Sequence, residues 1–344
     1  MDIPARQRQY RFRTASQGYD LVLTDEAAVR PPGPREVLVR VRASSLNRRD
    51  LLIHRGLYPA GNRDVVVPLS DGAGEVVAVG AGVTRVREGD RVVATFFQDW
   101  LDGRPVASTG ASALGGALDG MLTEHVTLHE DGVLHIPAHL SFEEAATLPC
   151  AALTAWNGLF TWGGLRAGDH VLLQGTGGVS VFGLQFAVAA GATVLLTSSD
   201  DAKLARARAL GATHGVNYRT TPDWDRIALE ATGGVGVHHV LEVGGVGTLQ
   251  RSLAALAHGG HIAIIGGLAG FGGEIPALPM IGHSTRVSGI FVGSRAEFMR
   301  MNAFIEAHAL RPVIDRVFDY AAAPAAFAHM EAGDHFGKVV IRHG

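Results

Sequence analysis

From about residue 150 onward the chain alternates apolar, strand-like runs with segments of helix length, and this rhythm constrains the fold more than any other feature. His170–Gly175, Ala192–Ser198, His214–Tyr218, Val237–Val243 and Gly260–Gly266 read as strands. Helical stretches such as Asp201–Leu210 and Gly247–Leu256 lie between them. Strands separated by helices of that length form βαβ units, which close as a parallel, doubly wound sheet. Arg286–Val292 would add a further strand.

The first 150 residues have a different texture. Val37–Val41, Gly74–Val79 and Arg91–Ala94 are short strands, separated by turn clusters such as Pro31-Pro32-Gly33-Pro34 and Gly80-Ala81-Gly82. The alternation Tyr10-Arg11-Phe12-Arg13 reads as a first strand rather than as part of a transit peptide. After residue 295 come a helix over Arg295–His308, a strand near Val313–Phe318, an alanine-rich helix from Ala323 and a last strand, Lys338–Arg342. The expected class is α/β: a β-rich domain plus a doubly wound parallel-sheet domain. Periodicity alone does not say which domain the tail joins.

A chain of 344 residues with 47% hydrophobic and 18% charged residues fits two soluble globular domains. The charge sum of 30 minus 33, or −3, gives no electrostatic case for nucleic acid or an anionic membrane. The most apolar stretch, Phe182–Leu196, is interrupted by Gln185, Gly191 and Thr193, so no membrane span is expected. Cys150 is the single cysteine, which rules out both an intrachain disulfide and a cage of several thiolates around zinc. The cytosol is the default expectation.

Gly175-Thr176-Gly177-Gly178-Val179-Ser180 follows an apolar strand and leads into a helix. Its glycines permit a tight turn and let backbone N–H groups approach a pyrophosphate at the positive helix N-terminus. The third glycine of the dinucleotide fingerprint is moved or replaced, with Ser180 in its place. The next strand ends Thr197-Ser198-Ser199, where an NAD site normally has a carboxylate for the ribose 2′-OH. Hydroxyls there, with Lys203 a turn later, suit a 2′-phosphate and point to NADPH. Asp200 and Asp201 come one or two residues too late and are read as capping the next helix.

Residues 30–344 resemble the medium-chain dehydrogenase/reductase superfamily, specifically its zinc-free, quinone oxidoreductase-like branch. Five motifs carry the resemblance, in order. They are Ser45-Leu46-Asn47-Arg48-Arg49-Asp50 with Gly56-Leu57-Tyr58-Pro59; Asp71-Gly72-Ala73-Gly74-Glu75-Val76; Ala145-Ala146-Thr147-Leu148-Pro149-Cys150 with Leu153-Thr154-Ala155; the glycine loop; and Phe336-Gly337-Lys338-Val339-Val340. The resemblance implies a GroES-like catalytic domain over residues 1–152, a Rossmann domain over 153–293, and a segment, 294–344, that returns to the catalytic domain. It also implies a cleft in which nicotinamide meets substrate, and a homodimer paired through the edge strand Arg286–Val292.

Zinc-dependent relatives carry cysteine where this chain has Asn47, and a His-Glu pair where it has Ser70-Asp71. Cys150 alone remains, and one thiol with an amide and a hydroxyl makes no zinc site of normal affinity. Cys150 is expected to be a small, partly buried residue. His125 and His129 lack a third ligand, and the neighbours His238 and His239 point to opposite faces of a strand.

By resemblance Asn47 and Tyr58 are the catalytic residues, Asn47 as amide donor and Tyr58 as proton donor, with an ordinary packing role for Tyr58 equally open. Asp50 is expected to order its loop. Cofactor contacts are implied at Asn47, Thr154, Gly175, Gly177, Gly178, Val179, Thr197, Ser198, Ser199, Lys203, Tyr218, Val243, Gly244, Gly266, Phe291, Val292 and Lys338. Phe96, Phe97, Trp100 and Phe291 could line an apolar pocket, though aromatics are more often core. The expected activity is zinc-independent, NADPH-dependent hydride transfer to a quinone or α,β-unsaturated carbonyl, because such acceptors need less polarisation than a simple ketone. Enoyl-thioester reduction, an alcohol dehydrogenase-like reaction and NADPH binding with little catalysis remain open alternatives.

Overall fold

The computed structural model describes residues 3–58, 65–270, 275 and 277–344, so Pro59 of the Gly56–Pro59 motif lies outside the described residues. The chain divides into two compact units, Met1–Ala151 with Ser294–Gly344, and Ala152–Gly293. Among the described residues no helix is long and apolar enough to cross a membrane.

In the first unit, β1 (Arg6–Thr14), β2 (Tyr19–Ala28), β3 (Glu36–Ser45), β4 (Val65–Val66), β5 (Asp71–Val79), β6 (Arg91–Ala94), β7 (His125–His129) and β8 (Val133–His135) are joined by turns, with the short α1 (Arg48–His54) after β3 and α2 (Phe142–Ala145) after β8. β1 pairs with both β2 and β4 to form a small antiparallel sheet. Phe12, buried on β1, packs with Leu46, Leu51 and Ile53 into one core. Val37, Val39 and Val41 of β3 and Val76 of β5 anchor another.

The second unit opens with α3 (Leu153–Trp156) and carries β9 (His170–Gln174), α4 (Gly178–Ala189), β10 (Thr193–Ser198), α5 (Asp201–Ala209), β11 (His214–Asn217), α6 (Trp224–Ala231), β12 (Val237–Glu242), α7 (Leu249–Ala254), β13 (Leu256–Ile264), α8 (Ala277–His283) and β14 (Arg286–Gly289). These strands form a six-stranded parallel sheet in the order β11-β10-β9-β12-β13-β14. Leu172, Leu195, Val240 and Ile262 are fully or nearly buried in it, as sheets covered by helices on both faces require.

Two boundaries differ from expectation. The helix expected over Gly247–Leu256 is only Leu249–Ala254, and its strand starts early, at Leu256. The strand expected over Arg286–Val292 stops at Gly289. Ile290 still donates to the Ile264 carbonyl, but Val292 has φ 51°, which takes the backbone out of the extended region.

The tail, α9 (Arg295–Ala307), β15 (Ile314–Asp319), α10 (Ala323–Ala332) and β16 (Lys338–Arg342), belongs to the first unit. β16 runs antiparallel to β3, with Val340 opposite Ser45, and parallel to β15. A large sheet ordered β15-β16-β3-β5-β6-β8 results, with β7 also on β3. β3 therefore has β16 and β5 as neighbours at its C-terminal end, Ser45 lying opposite Asp71 on β5. This register brings the tail, the Asn47 motif and the Ser70-Asp71 pair together.

Candidate active site and nucleotide site

In the first unit Asn47 is the N-cap of α1, in extended conformation, immediately past the end of β3. The antiparallel register of β16 continues one step further and puts Lys338 beside it. The Lys338 ammonium donates to the Leu46 carbonyl at 2.6 Å and to Asn47 Oδ1 at 2.6 Å, and lies 3.8 Å from Asp71 Oδ2. Lys338 is 3% exposed and Asn47 7%. A lysine ammonium only donates, so it fixes which end of the amide is oxygen. Asn47 Nδ2 faces away, buried and without a hydrogen-bond partner. A buried amide donor left unpaired costs free energy unless something accepts from it.

The neighbouring acids are held tightly. Asp71 Oδ1 accepts from the Ser70 hydroxyl at 2.7 Å, and Oδ2 from the Cys150 N–H at 3.2 Å. Asp50, fully buried, accepts from the Asn47 N–H at 2.7 Å through Oδ2, while Oδ1 is unpaired. This is the loop-ordering role expected of it. Burial pushes the Asp50 carboxyl up to about 7, against the pull of Arg49 and the Asn47 N–H. Burial, then the nearby Asp71 charge, pushes the Cys150 thiol up, so it remains protonated and a poor nucleophile.

Tyr58 is partly buried against the Phe12 core, and the Arg49 guanidinium lies 5.5 Å from its ring and 4.8 Å from that of Phe96. Arg49 also donates to the Leu114 carbonyl at 2.9 Å. Phe96, Phe97 and Trp100 are buried, Phe97 meeting Phe96 edge-on and Trp100 at a tilt, so they are mainly core.

In the second unit the glycine loop runs between β9 and α4. Gly175 has φ 71°, and a Cβ on Gly175 or Gly177 would meet nothing within 4 Å. Gly177 is the N-cap of the 12-residue α4, and no side chain caps the first N–H groups there. Such a helix start, with Gly178 and Val179 in its first turn, is one that could hold a phosphate. The packing glycine of the fingerprint has moved to Gly183, whose Cβ would come within 2.7 Å of Leu241. Ser180, in its old place, instead donates to the Gln174 carbonyl at 2.6 Å.

At the end of β10, Thr197 and Ser198 are buried and Ser199 half-buried. Asp200 caps α5, accepting from the Lys203 N–H at 2.9 Å, and Asp201 accepts from Asn217 Nδ2 at 3.0 Å. Both carboxylates therefore serve local structure. The Ser198 hydroxyl accepts from the Asp200 N–H at 3.3 Å, and the Ser198 carbonyl accepts from the Tyr218 N–H at 3.0 Å. Hydrogen bonding from the Lys203 N–H, then the charges of Lys203 and Arg219, holds the Asp200 carboxyl below its usual range. Arg219, exposed beside Tyr218, is a further cation here, and its place after the strand gives no sequence signal of it.

Val243 and Gly244 donate to Gln174 Oε1 at 3.2 and 3.1 Å. Behind them lies the fully buried Glu242, which accepts from Gly244 and Gly245 N–H, from Gln174 Nε2 and from the hydroxyls of Thr248 and Ser252. Neither Gln174 nor Glu242 was legible as a site residue, since a strand-end acid looks like any other until its partners are seen. Gly266 lies beside Val243: its Cβ would come within 3.1 Å of the Val243 carbonyl. Thr154 is buried, the Val292 carbonyl accepts from Asn157 Nδ2 at 2.8 Å, and Phe291 is 42% exposed. Lys338, expected among the cofactor contacts, donates to the Leu46 carbonyl and to Asn47 Oδ1. His238 and His239 are structural: one accepts from the His170 N–H at 2.9 Å, the other pairs with Asp169 at 3.0 Å.

Residues 33–138 match the alcohol dehydrogenase GroES-like domain and residues 178–307 the zinc-binding dehydrogenase family. A zinc-type alcohol dehydrogenase-like protein of Schizosaccharomyces pombe is 47% identical over 94% of this chain and 96% of its own. The chain belongs to the medium-chain dehydrogenase/reductase superfamily. A Sinorhizobium meliloti 1021 structure, described as a candidate alcohol dehydrogenase, is 43% identical with a TM-score of 0.93, covering 99% of this chain and 100% of that one. An NAD-dependent alcohol dehydrogenase structure is 34% identical, TM-score 0.87, covering 98% of this chain and 100% of that one. The chain is thus an oxidoreductase of this superfamily, with a GroES-like and a Rossmann-like domain.

Asp50 gives a pH test within this oxidoreductase. Its folded carboxyl, near 7, sits above the unfolded value of about 3.9, so its contribution to stability is present at low pH and lost as pH rises through 7. Asp50→Asn keeps an acceptor for the Asn47 N–H but does not titrate. In urea unfolding, wild type should lose stability relative to Asp50→Asn between pH 4 and 7, by at most about 1.4 kcal/mol per pH unit. Wild type that keeps or gains stability relative to Asp50→Asn over that range would rule out the raised pKa.

Proposed function

We propose that the chain is a zinc-independent, NADPH-dependent reductase that delivers hydride to a quinone or an α,β-unsaturated carbonyl. The observation that carries this reading is the Asn47 amide: Oδ1 is held by Lys338 and Nδ2 is left buried and unpaired. A donor presented in this way suits an oxygen on which negative charge develops.

The superfamily includes zinc enzymes, and the donor set here does not suit zinc. The three places are Asn47, Ser70 and Cys150; the Lys338 side chain already donates to the amide oxygen, and burial holds the thiol neutral. Zinc wants deprotonated thiolate, imidazole or carboxylate ligands. A cation 2.6 Å from one ligand oxygen repels a second cation.

When bound, the nicotinamide supplies the hydride. The chain's own residues do the rest. The N-terminus of α4 and the glycine loop hold the diphosphate. Ser198, Ser199, Lys203, Tyr218 and Arg219 suit a 2′-phosphate, while Asp200 and Asp201 are committed elsewhere. Thr154, Val243, Gly244, Gly266, Phe291 and Val292 complete the expected cofactor contacts. On an enone, hydride adds at the β-carbon, the electron pair moves to the carbonyl oxygen, and Asn47 Nδ2 donates to that oxygen. A proton at the α-carbon, from Tyr58 or water, completes the saturated ketone.

The relatives' names favour the alcohol–carbonyl couple, and one relative is NAD-dependent. In this chain Asn47 would have to polarise the carbonyl without a metal. We also infer a homodimer. β14 is the exposed edge of its sheet, and in the same unit Leu278 and Ile281 of α8 are 80% and 75% exposed, an aggregation hazard unless a second copy covers them.

A panel of quinones, enones, enoyl thioesters and aldehydes with NADPH and NADH tests the activity. Quinones or enones with NADPH should turn over best, and Ser198→Asp with Lys203→Ala should shift preference toward NADH. Equal efficiency with both cofactors, or turnover confined to aldehydes, would overturn the reading. Tight NADPH binding without turnover on any acceptor would favour a binding role. Sedimentation at micromolar concentration should give a dimer; a monomer would sink that inference.

A further inference from the structure

Lys338 is buried at the start of β16, where an ammonium carries a desolvation cost that an apolar side chain would not. Its partners show what the charge does. Two of its protons go to oxygens that flank one residue, the Leu46 carbonyl and Asn47 Oδ1, each at 2.6 Å. Asp71, 3.8 Å away, offsets the charge, and is itself fixed by Ser70 and the Cys150 N–H. Asp50 fixes the Asn47 backbone from the other side.

An asparagine amide can present either end to a ligand. With neutral surroundings the two orientations compete, and only one offers a donor to an oxyanion. An ammonium on Oδ1 removes the wrong orientation, because oxygen facing the cation is favoured and –NH₂ facing it is repelled. It also polarises the amide: a charge-assisted bond to the C=O draws electron density from nitrogen and strengthens its N–H as a donor.

We propose that Lys338 is a positioning residue that orients and polarises the Asn47 amide, so that a fixed organic cation, acting through one amide, stands in for the metal of zinc-dependent relatives. This rests on the reading of Asn47 as donor to the substrate oxygen, and adds that the donor's strength and direction come from β16.

A double-mutant cycle tests it, using 2-cyclohexen-1-one and 1,4-benzoquinone as acceptors with NADPH at saturation. Asn47→Ser should lower kcat about 10²-fold, as loss of one oxyanion donor does. Lys338→Met should lower kcat about tenfold or more, with KM for the acceptor changed less than kcat. In the Asn47→Ser background Lys338→Met should have little further effect, because the residue through which it acts is gone. Lys338→Arg, which keeps a cation and donors, should recover part of the loss. Should Lys338→Met fail to fold, Lys338→Gln, neutral but still a donor, replaces it in the cycle. A loss from the Lys338 substitution that is equal in both backgrounds would overturn the positioning role while leaving the reading of Asn47 intact. An unchanged kcat in Asn47→Ser would overturn both.

Discussion

A lysine ammonium buried beside an asparagine amide sets the terms for the whole first unit. The partners of Lys338 Nζ are the Leu46 carbonyl, Asn47 Oδ1 and, at 3.8 Å, Asp71 Oδ2. That arrangement requires β16 to pair with β3, and β3 with β5, in one register: Val340 opposite Ser45, and Ser45 opposite Asp71. A slip of one residue would turn every side chain of β16 to the other face and strand the charge. The chain's last strand is therefore part of the site, although it lies some 290 residues from Asn47 in sequence.

The second unit depends on a buried charge of the opposite sign. Glu242 at the end of β12 gathers two backbone N–H groups, two hydroxyls and the Gln174 amide, and so fixes the turn that carries Val243 and Gly244. A carboxylate in such a position is tolerated because its oxygens are well supplied with donors. Gly244 is required there, since a Cβ would come within 2.2 Å of Thr248 Oγ1. The glycine loop, by contrast, is open at Gly175 and Gly177, where backbone must be approached rather than packed.

Much of this architecture was legible in the residues. Alternating strand and helix signals mark the parallel sheet, and the glycine loop lies between β9 and α4. Asp200 capped its helix as its position implied. Legibility failed where contacts over long sequence separations decide. Lys338 reads as an ordinary member of a Phe-Gly-Lys motif until β16 is placed beside β3. Ile290-Phe291-Val292 is apolar and reads as strand, yet β14 ends before it, Val292 adopts a left-handed backbone and its carbonyl accepts from Asn157. Gly183 carries no signal in the fingerprint, whose third glycine falls three residues earlier, at Ser180.

Zinc binding tests most directly whether an organic cation has replaced the metal. The metal-stripped protein, titrated with zinc by calorimetry and then dialysed for elemental analysis, should retain well under one zinc per chain, and chelator should leave NADPH-dependent turnover unchanged. Stoichiometric zinc that is lost in a Cys150→Ser variant, with activity that chelator abolishes, would contradict it.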